Sequence, residues 1–95
     1  MTTSPEKILR ILKEAIAEEL ATTPDKIDEH ATFHGLGLDS ISAIVVLDHV
    51  EQKLGLSINP IHFWDYPTPR LLAGYLAAQT SHAKALHNGG IAKDS

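Results

Sequence analysis

Apolar residues recur at helical spacing in three stretches of the chain, and prolines, glycines and threonines punctuate the gaps between them. Ile8, Ile11, Leu12, Ala15 and Ile16 predict a first helix over residues 5–20. Ser4 is its natural N-cap, and Pro5 takes the first helical position, where a missing N–H costs nothing. The stretch "ATTPDKIDEHATFHGLG" is then a long connection in which Thr23-Pro24 can start a short helical turn; a connection of this length is often functional. A second helix is predicted from Ser40 to about Leu54, with Gly55 as a left-handed terminator. "SINPIHFWDYP" predicts a short helix capped by Asn59, with Pro60 following, that stops before Pro67. Thr68 and Pro69 repeat the cap-plus-proline device and open a last helix, in which Leu71, Leu72, Tyr75 and Leu76 are expected to share a face. From about Thr80 the pattern fades into "SHAKALHNGGIAKDS", expected as a flexible tail or linker. There is no strand alternation and no repeat. The predicted architecture is all-α: a small four-helix bundle of three main helices and one short one, with a domain over 1–79 and a tail over 80–95.

The second helix carries more apolar residues than one core face needs. At 100° per residue from Ser40, Ala43, Val46, Leu47, Val50 and Leu54 fall between about 240° and 340°, a stripe fit for a core. Ile41, Ile44 and Val45 project instead at about 100°, 40° and 140°, among Asp48, Glu51 and Gln52. Two readings are open. The preceding loop could fold over these aliphatics and bury them, or they could form a partner-docking strip edged with acids, beginning beside Ser40.

Composition narrows the class. With 95 residues, 43% of them hydrophobic and 21% charged, the chain suits one folded domain rather than a disordered segment. It has no cysteine, so it can build neither a disulfide scaffold nor a thiolate metal site, which fits a cytoplasmic location. No apolar run approaches a membrane span, and the N-terminus lacks a signal-peptide core. The net charge is −4 and the eight Lys and Arg are scattered, whereas a nucleic-acid binder gathers them on one face.

The chemistry-bearing stretch is "GLGLDSISAI", residues 35–44. As a hydrolase nucleophile Ser40 lacks a G-x-S-x-G elbow and a preceding strand, and neither His34 nor His49 has an evident orienting carboxylate, so no catalytic residue is assigned. From local spacing alone, Asp39 or Ser40 is a helix cap. Modification is the alternative: a phosphate ester on a serine at a helix start would sit where unpaired N–H groups and the dipole favour negative charge. His30 and His34 are four apart, but no third ligand is set by spacing, and no metal site is assigned. Trp64 and Tyr66 could face a partner; the expectation favoured by size is that Phe63 or Trp64 covers the open end of the bundle.

"FHGLGLDSI" resembles the phosphopantetheine attachment motif of acyl carrier proteins, F-x-x-L-G-x-D-S plus an aliphatic residue, through Phe33, Leu36, Gly37, Asp39, Ser40 and Ile41. "FWDYPTPRLLAGYL" is similar to the F-x-x-P-T-x-x-x-L-A signature of polyketide-synthase carrier domains, with Phe63, Pro67, Thr68, Leu72 and Ala73 taken to carry it. The resemblance runs from about Ile8 to Ala78. It implies that a phosphopantetheinyl transferase places 4'-phosphopantetheine from coenzyme A on Ser40, with magnesium. The carrier is then not an enzyme but a substrate of enzymes, holding acyl groups as thioesters on an imported thiol. Asp39 would position Ser40 and meet the transferase. Ile41, Ile44, Val45, Asp48 and Glu51 would dock successive partners: an acyltransferase or acyl-activating ligase, a ketosynthase and other synthase enzymes. A monomer is expected.

Residues 39–54 hold three acids (Asp39, Asp48, Glu51) against Lys53, fewer than in dissociated fatty-acid carriers, which favours polyketide or mixed polyketide–peptide assembly. Leu38-Asp39 is more acyl- than peptidyl-like. An aryl or peptidyl carrier of a nonribosomal pathway is the neighbouring alternative, and an unmodified helical adaptor the alternative from another class.

Overall fold

The computed structural model describes residues 4–89, with side-chain surroundings through residue 79. Four helices follow in order: α1 (Pro5–Leu20), α2 (Ser40–Leu54), the short α3 (His62–Asp65) and α4 (Pro69–Gly89), with a single 3₁₀ turn at Pro24–Lys26. The sequence punctuation accounts for most of these limits. The Ser4 hydroxyl accepts a hydrogen bond from Lys7 N–H at 3.2 Å, and Thr68 Oγ1 accepts one from Leu71 N–H at 3.2 Å. Gly55 ends α2 at φ +68°, a conformation that costs glycine nothing. Ala21 ends α1 at φ +59° without that advantage.

Two limits differ from expectation. Asn59 does not cap α3. Its Oδ1 accepts a hydrogen bond from Ile61 N–H at 3.0 Å, so Asn59-Pro60 closes a turn and the helix begins later, at His62. The last helix also continues past Thr80 to Gly89. Ala83, Lys84, Ala85 and Leu86 are strong helix formers, and no proline interrupts them before the Gly89-Gly90 pair. The rest of the expected tail, 90–95, lies outside the described residues.

The core is apolar: among the described residues, no buried residue is polar or charged. α1 packs along both α2 and α4, placing Ile8, Leu12 and Ile16 against Val46, Val50, Leu72 and Leu76. Leu71 does not join the face predicted for it. It is exposed, whereas Leu72 is fully buried, and Ala73 and Ala77 complete the stripe with Leu76. Adjacent helical residues lie about 100° apart, so only one of the Leu71-Leu72 pair can point at the centre of the core. Among the described residues, no helix is long and apolar enough to cross a membrane.

The long connection 21–39 folds over one end of the bundle and buries Ile27, Phe33 and Leu38. Backbone bonds stitch it to the start of α4, from Phe33 N–H to the Pro67 carbonyl (2.9 Å) and from Arg70 N–H to the Glu29 carbonyl (3.0 Å). The Arg70 guanidinium then forks between Glu29 (2.8 Å) and Glu6 (2.9 Å), and Lys13 approaches Glu29 at 3.5 Å. These contacts, first the Arg70 hydrogen bond, hold the Glu29 carboxyl below its ordinary range. A carboxyl whose pKa is lower folded than unfolded stabilises the fold above its unfolded pKa and loses that contribution as pH falls through the folded value. Thermal melts from pH 7 down to pH 3 should therefore show stability falling at the acid end, and Arg70→Gln should flatten that fall.

Candidate functional site

Ser40 is exposed and is the first residue of α2. The cap bond is made by its neighbour: Asp39 Oδ1 accepts a hydrogen bond from Ser42 N–H at 2.8 Å, which leaves the Ser40 hydroxyl out of the cap. Of the two cap candidates in the sequence, Asp39 takes the role. The same bond, with a smaller opposing cost of desolvation, holds the Asp39 carboxyl below its usual range and so keeps it ionised beside Ser40. Asp39→Ala should lower the melting temperature by a few degrees, because α2 then starts with an unsatisfied donor. Asp39→Asn, which keeps an acceptor oxygen, should restore most of the loss in a thermal melt.

The chain reaches this position through a tight loop. Leu36 N–H bonds the Thr32 carbonyl (2.9 Å), Gly37 N–H the His34 carbonyl (3.0 Å) and Leu38 N–H the Phe33 carbonyl (3.1 Å). Gly37 sits at φ +101°, where any side chain is strained. That turn drives Leu38 into the core and leaves Asp39 and Ser40 on the surface. Glycine at 37 is thus demanded by the backbone.

Beyond Ser40, α2 presents Ile41, Ile44 and Val45 to solvent, with exposures of 76%, 54% and 48%. The connection covers the bundle with Ile27, Phe33 and Leu38 and does not reach them, so the first of the two readings fails. Asp48 is exposed and is engaged by the Gln52 amide at 3.0 Å. Glu51 departs from its expected place on this face. It is half-buried, and its carboxylate accepts a hydrogen bond from Ile58 N–H, pinning the α2–α3 loop. Its angular position near 20° adjoins the edge of the core stripe, which explains the inward turn.

Across from α2, α3 divides its aromatic pair. Phe63 is buried, edge-on to Phe33 with ring centroids 4.3 Å apart, whereas Trp64 is 75% exposed. Of the two residues offered as the cover of the bundle end, only Phe63 has that role. Counted back from Pro67, the F-x-x-P spacing falls on Trp64 and not on Phe63, which stands one residue too early to be the aromatic position of that signature. Tyr66 is half-buried and stacks on Tyr75 at 4.5 Å. Between the connection, the first turns of α2 and α3 lies a cleft of about 410 Å³ that has Ser40, Ile44 and Trp64 on its walls. The bordering role of Trp64 was not drawn from the sequence, although its motif spacing pointed to it.

His30 and His34 are both exposed, and no group of three or more metal-ligating side chains occurs among the described residues.

Comparison with known proteins agrees with this arrangement. A family profile described as "Phosphopantetheine attachment site" matches residues 10–76. The chain is 36% identical over 63 residues to a phenolphthiocerol/phthiocerol polyketide synthase of Mycobacterium tuberculosis (strain CDC 1551 / Oshkosh), covering 66% of this chain but only 3% of that synthase polypeptide. A crystal structure of a free-standing peptidyl carrier protein from Acinetobacter baumannii superposes with a TM-score of 0.75 at 34% identity, covering 80% of this chain and 95% of that one. The NMR structure of the HMG-ACPI domain from the CurA module of Lyngbya majuscula gives a TM-score of 0.75 at 33% identity, covering 85% and 82%. An all-helical carrier fold, a capped helix start with an exposed serine inside the matched segment, and these likenesses lead to one conclusion: the chain belongs to the phosphopantetheine-binding carrier family, as a carrier related to those of polyketide synthases and not itself a catalyst.

Proposed function

We propose that Ser40 is the attachment point of the phosphopantetheine arm and that the chain is an acyl carrier in polyketide or mixed polyketide–peptide assembly, acting as a cytoplasmic monomer. The observation that carries this reading is the exposed Ser40 hydroxyl at the start of α2, freed from capping by Asp39. The residues present fit the group: a reachable hydroxyl at a helix N-terminus suits a phosphodiester, and the adjoining cleft offers apolar surface. In the loading step the Ser40 oxygen forms a bond to the phosphorus that carries pantetheine. The pyrophosphate link of coenzyme A breaks, adenosine 3',5'-bisphosphate leaves, and the serine proton passes to a base of the transferase. The attached arm supplies a terminal thiol on which acyl groups are held as thioesters. Ile41, Ile44 and Val45 would dock the transferase and then the acyltransferase or acyl-activating ligase and the ketosynthase, with Asp39 and Asp48 as the acids at the margin.

A peptidyl or aryl carrier is the second reading, its peptidyl form favoured by the likeness to the Acinetobacter baumannii peptidyl carrier protein. The test is intact mass before and after incubation with coenzyme A and a broad-specificity phosphopantetheinyl transferase. One added phosphopantetheine is expected. No addition to folded protein with more than one transferase overturns the carrier reading and leaves an adaptor that uses the Ile41-Ile44-Val45 strip. The acid that is subsequently loaded separates the two carrier readings.

A further inference from the structure

α3 is a single turn of helix, too short to keep its shape without tertiary support, and no side chain caps its start. Two aromatic contacts seat it. Phe63 meets Phe33 of the connection, and His62 lies against Tyr75 of α4 with ring centroids 4.4 Å apart. At the second contact His62 Nε2 and the Tyr75 hydroxyl share a hydrogen bond of 3.1 Å, and Tyr66 stacks on Tyr75 beside them. The other ring nitrogen, Nδ1, is buried and has no hydrogen-bond partner, the one such side-chain atom among the described residues. The titratable side chains that face the ring are Tyr75 from α4 and Tyr66 from the end of α3. Among the described residues no carboxylate pairs with it. Asp65, three residues on, is exposed and forms no ion pair, whereas His30 and His49 each meet a glutamate, at 3.4 and 3.7 Å.

These surroundings suit a neutral ring. With one partner for two nitrogens, the seated ring already leaves one polar atom unpaired. A proton added at Nδ1 makes that atom a donor with no acceptor and brings a positive charge that no anion meets. Burying an unpaired charge costs far more than burying an unpaired neutral group. Once α3 lifts away, water pairs with the same nitrogen.

We propose that His62 is a positioning residue that seats α3 while its ring is neutral and releases it when the ring takes up a proton in mild acid. The released form binds one more proton than the seated form, so seating strengthens as pH rises and weakens as it falls. Release takes Phe63 off Phe33 and Trp64 away from Ile44, so acid removes the α3 wall of the Ser40 cleft. This switch belongs to the fold and holds whether or not Ser40 carries an arm.

The test is amide hydrogen exchange, followed by NMR on the whole protein between pH 7.5 and pH 5.5. Asp65 N–H and Tyr66 N–H report α3, because they bond the Ile61 and His62 carbonyls at 3.2 and 2.9 Å. Corrected for intrinsic exchange, their protection should fall by up to about tenfold per pH unit below about pH 6.5, where a solvated histidine is protonated. Amides of α1 and α2 should keep theirs, since ordinary carboxylates titrate lower. In His62→Leu, which takes up no proton, the α3 amides should show no pH dependence. Tyr75→Phe removes the hydrogen-bond partner of the ring and should lower α3 protection already at pH 7.5. Protection of Asp65 and Tyr66 that is constant with pH in wild type overturns the proposal. So does an equal fall in His62→Leu, which would assign it to another histidine, or a parallel fall in α1 and α2, which would be loosening of the whole domain. Equal protection in Tyr75→Phe and wild type overturns the role of the His62–Tyr75 bond. Should His62→Leu not fold, the ring nitrogen signals of wild-type His62 decide: a ring that gains its proton while Asp65 and Tyr66 stay protected overturns the proposal.

Discussion

Ser40→Ala is expected to abolish phosphopantetheine addition completely while leaving the fold and its melting temperature unchanged. The loss is absolute because the serine oxygen is the atom that would bond phosphorus, and alanine offers nothing in its place. The nearest rival hydroxyl, Ser42, cannot substitute. It lies about 200° around α2 from Ser40, is half-buried, and its own N–H is bound to Asp39. Stability should be untouched because Asp39 makes the cap bond, and alanine is a good first-turn residue. Intact mass and a thermal melt on the same sample check both halves. Added mass on the alanine variant would move the attachment to another hydroxyl. A large fall in melting temperature would mean that Ser40 is held for structure.

The second large effect concerns a neighbouring pair. Leu72→Ala should destabilise the domain by about 2–5 kcal/mol, the cost of emptying a fully buried leucine site, and lower the melting temperature by roughly 10 °C or more. Leu72 packs where α4 meets α1, and a domain of this size has little stability in reserve. Leu71→Ala, one residue earlier and half exposed, should change stability by no more than about 0.5 kcal/mol. Chemical denaturation of the two variants beside wild type measures the contrast. Equal effects would mean that the α4 face is rotated from the one described.

The pair also illustrates what a linear pattern can and cannot resolve. Helical spacing placed Leu71, Leu72, Tyr75 and Leu76 on one side of α4, but a stripe some 100° wide does not say which edge faces the bundle. That depends on where α1 and the connection lie. The same limit applied to Phe63 and Trp64, adjacent aromatics of similar propensity. Phe63 went inward because Phe33, thirty residues earlier, offered it an edge-on partner. Glu51, at the edge of the core stripe, likewise turned inward to accept from Ile58 N–H, a partner that only the folded α2–α3 loop brings to it.

Properties set by near neighbours were legible in the chain alone. The limits of α1 and α2, the Ser4 and Thr68 caps, the Gly55 terminator and the angular separation of Ile41, Ile44 and Val45 from the core stripe of α2 all follow from contacts within a few residues, whereas the exposure of those three was decided by where the connection lies. The motif around Asp39-Ser40, which marks the family, is also local. Packing between distant parts of the chain settled the rest. It left Asp39 and Ser40 on the surface at the end of a loop pinned by Arg70, Glu29 and Pro67. It also put Trp64 opposite Ile44 across an apolar cleft. Local hydrogen bonds and helical periodicity act over about one turn, whereas a cleft exists only once separate elements have packed against a common core.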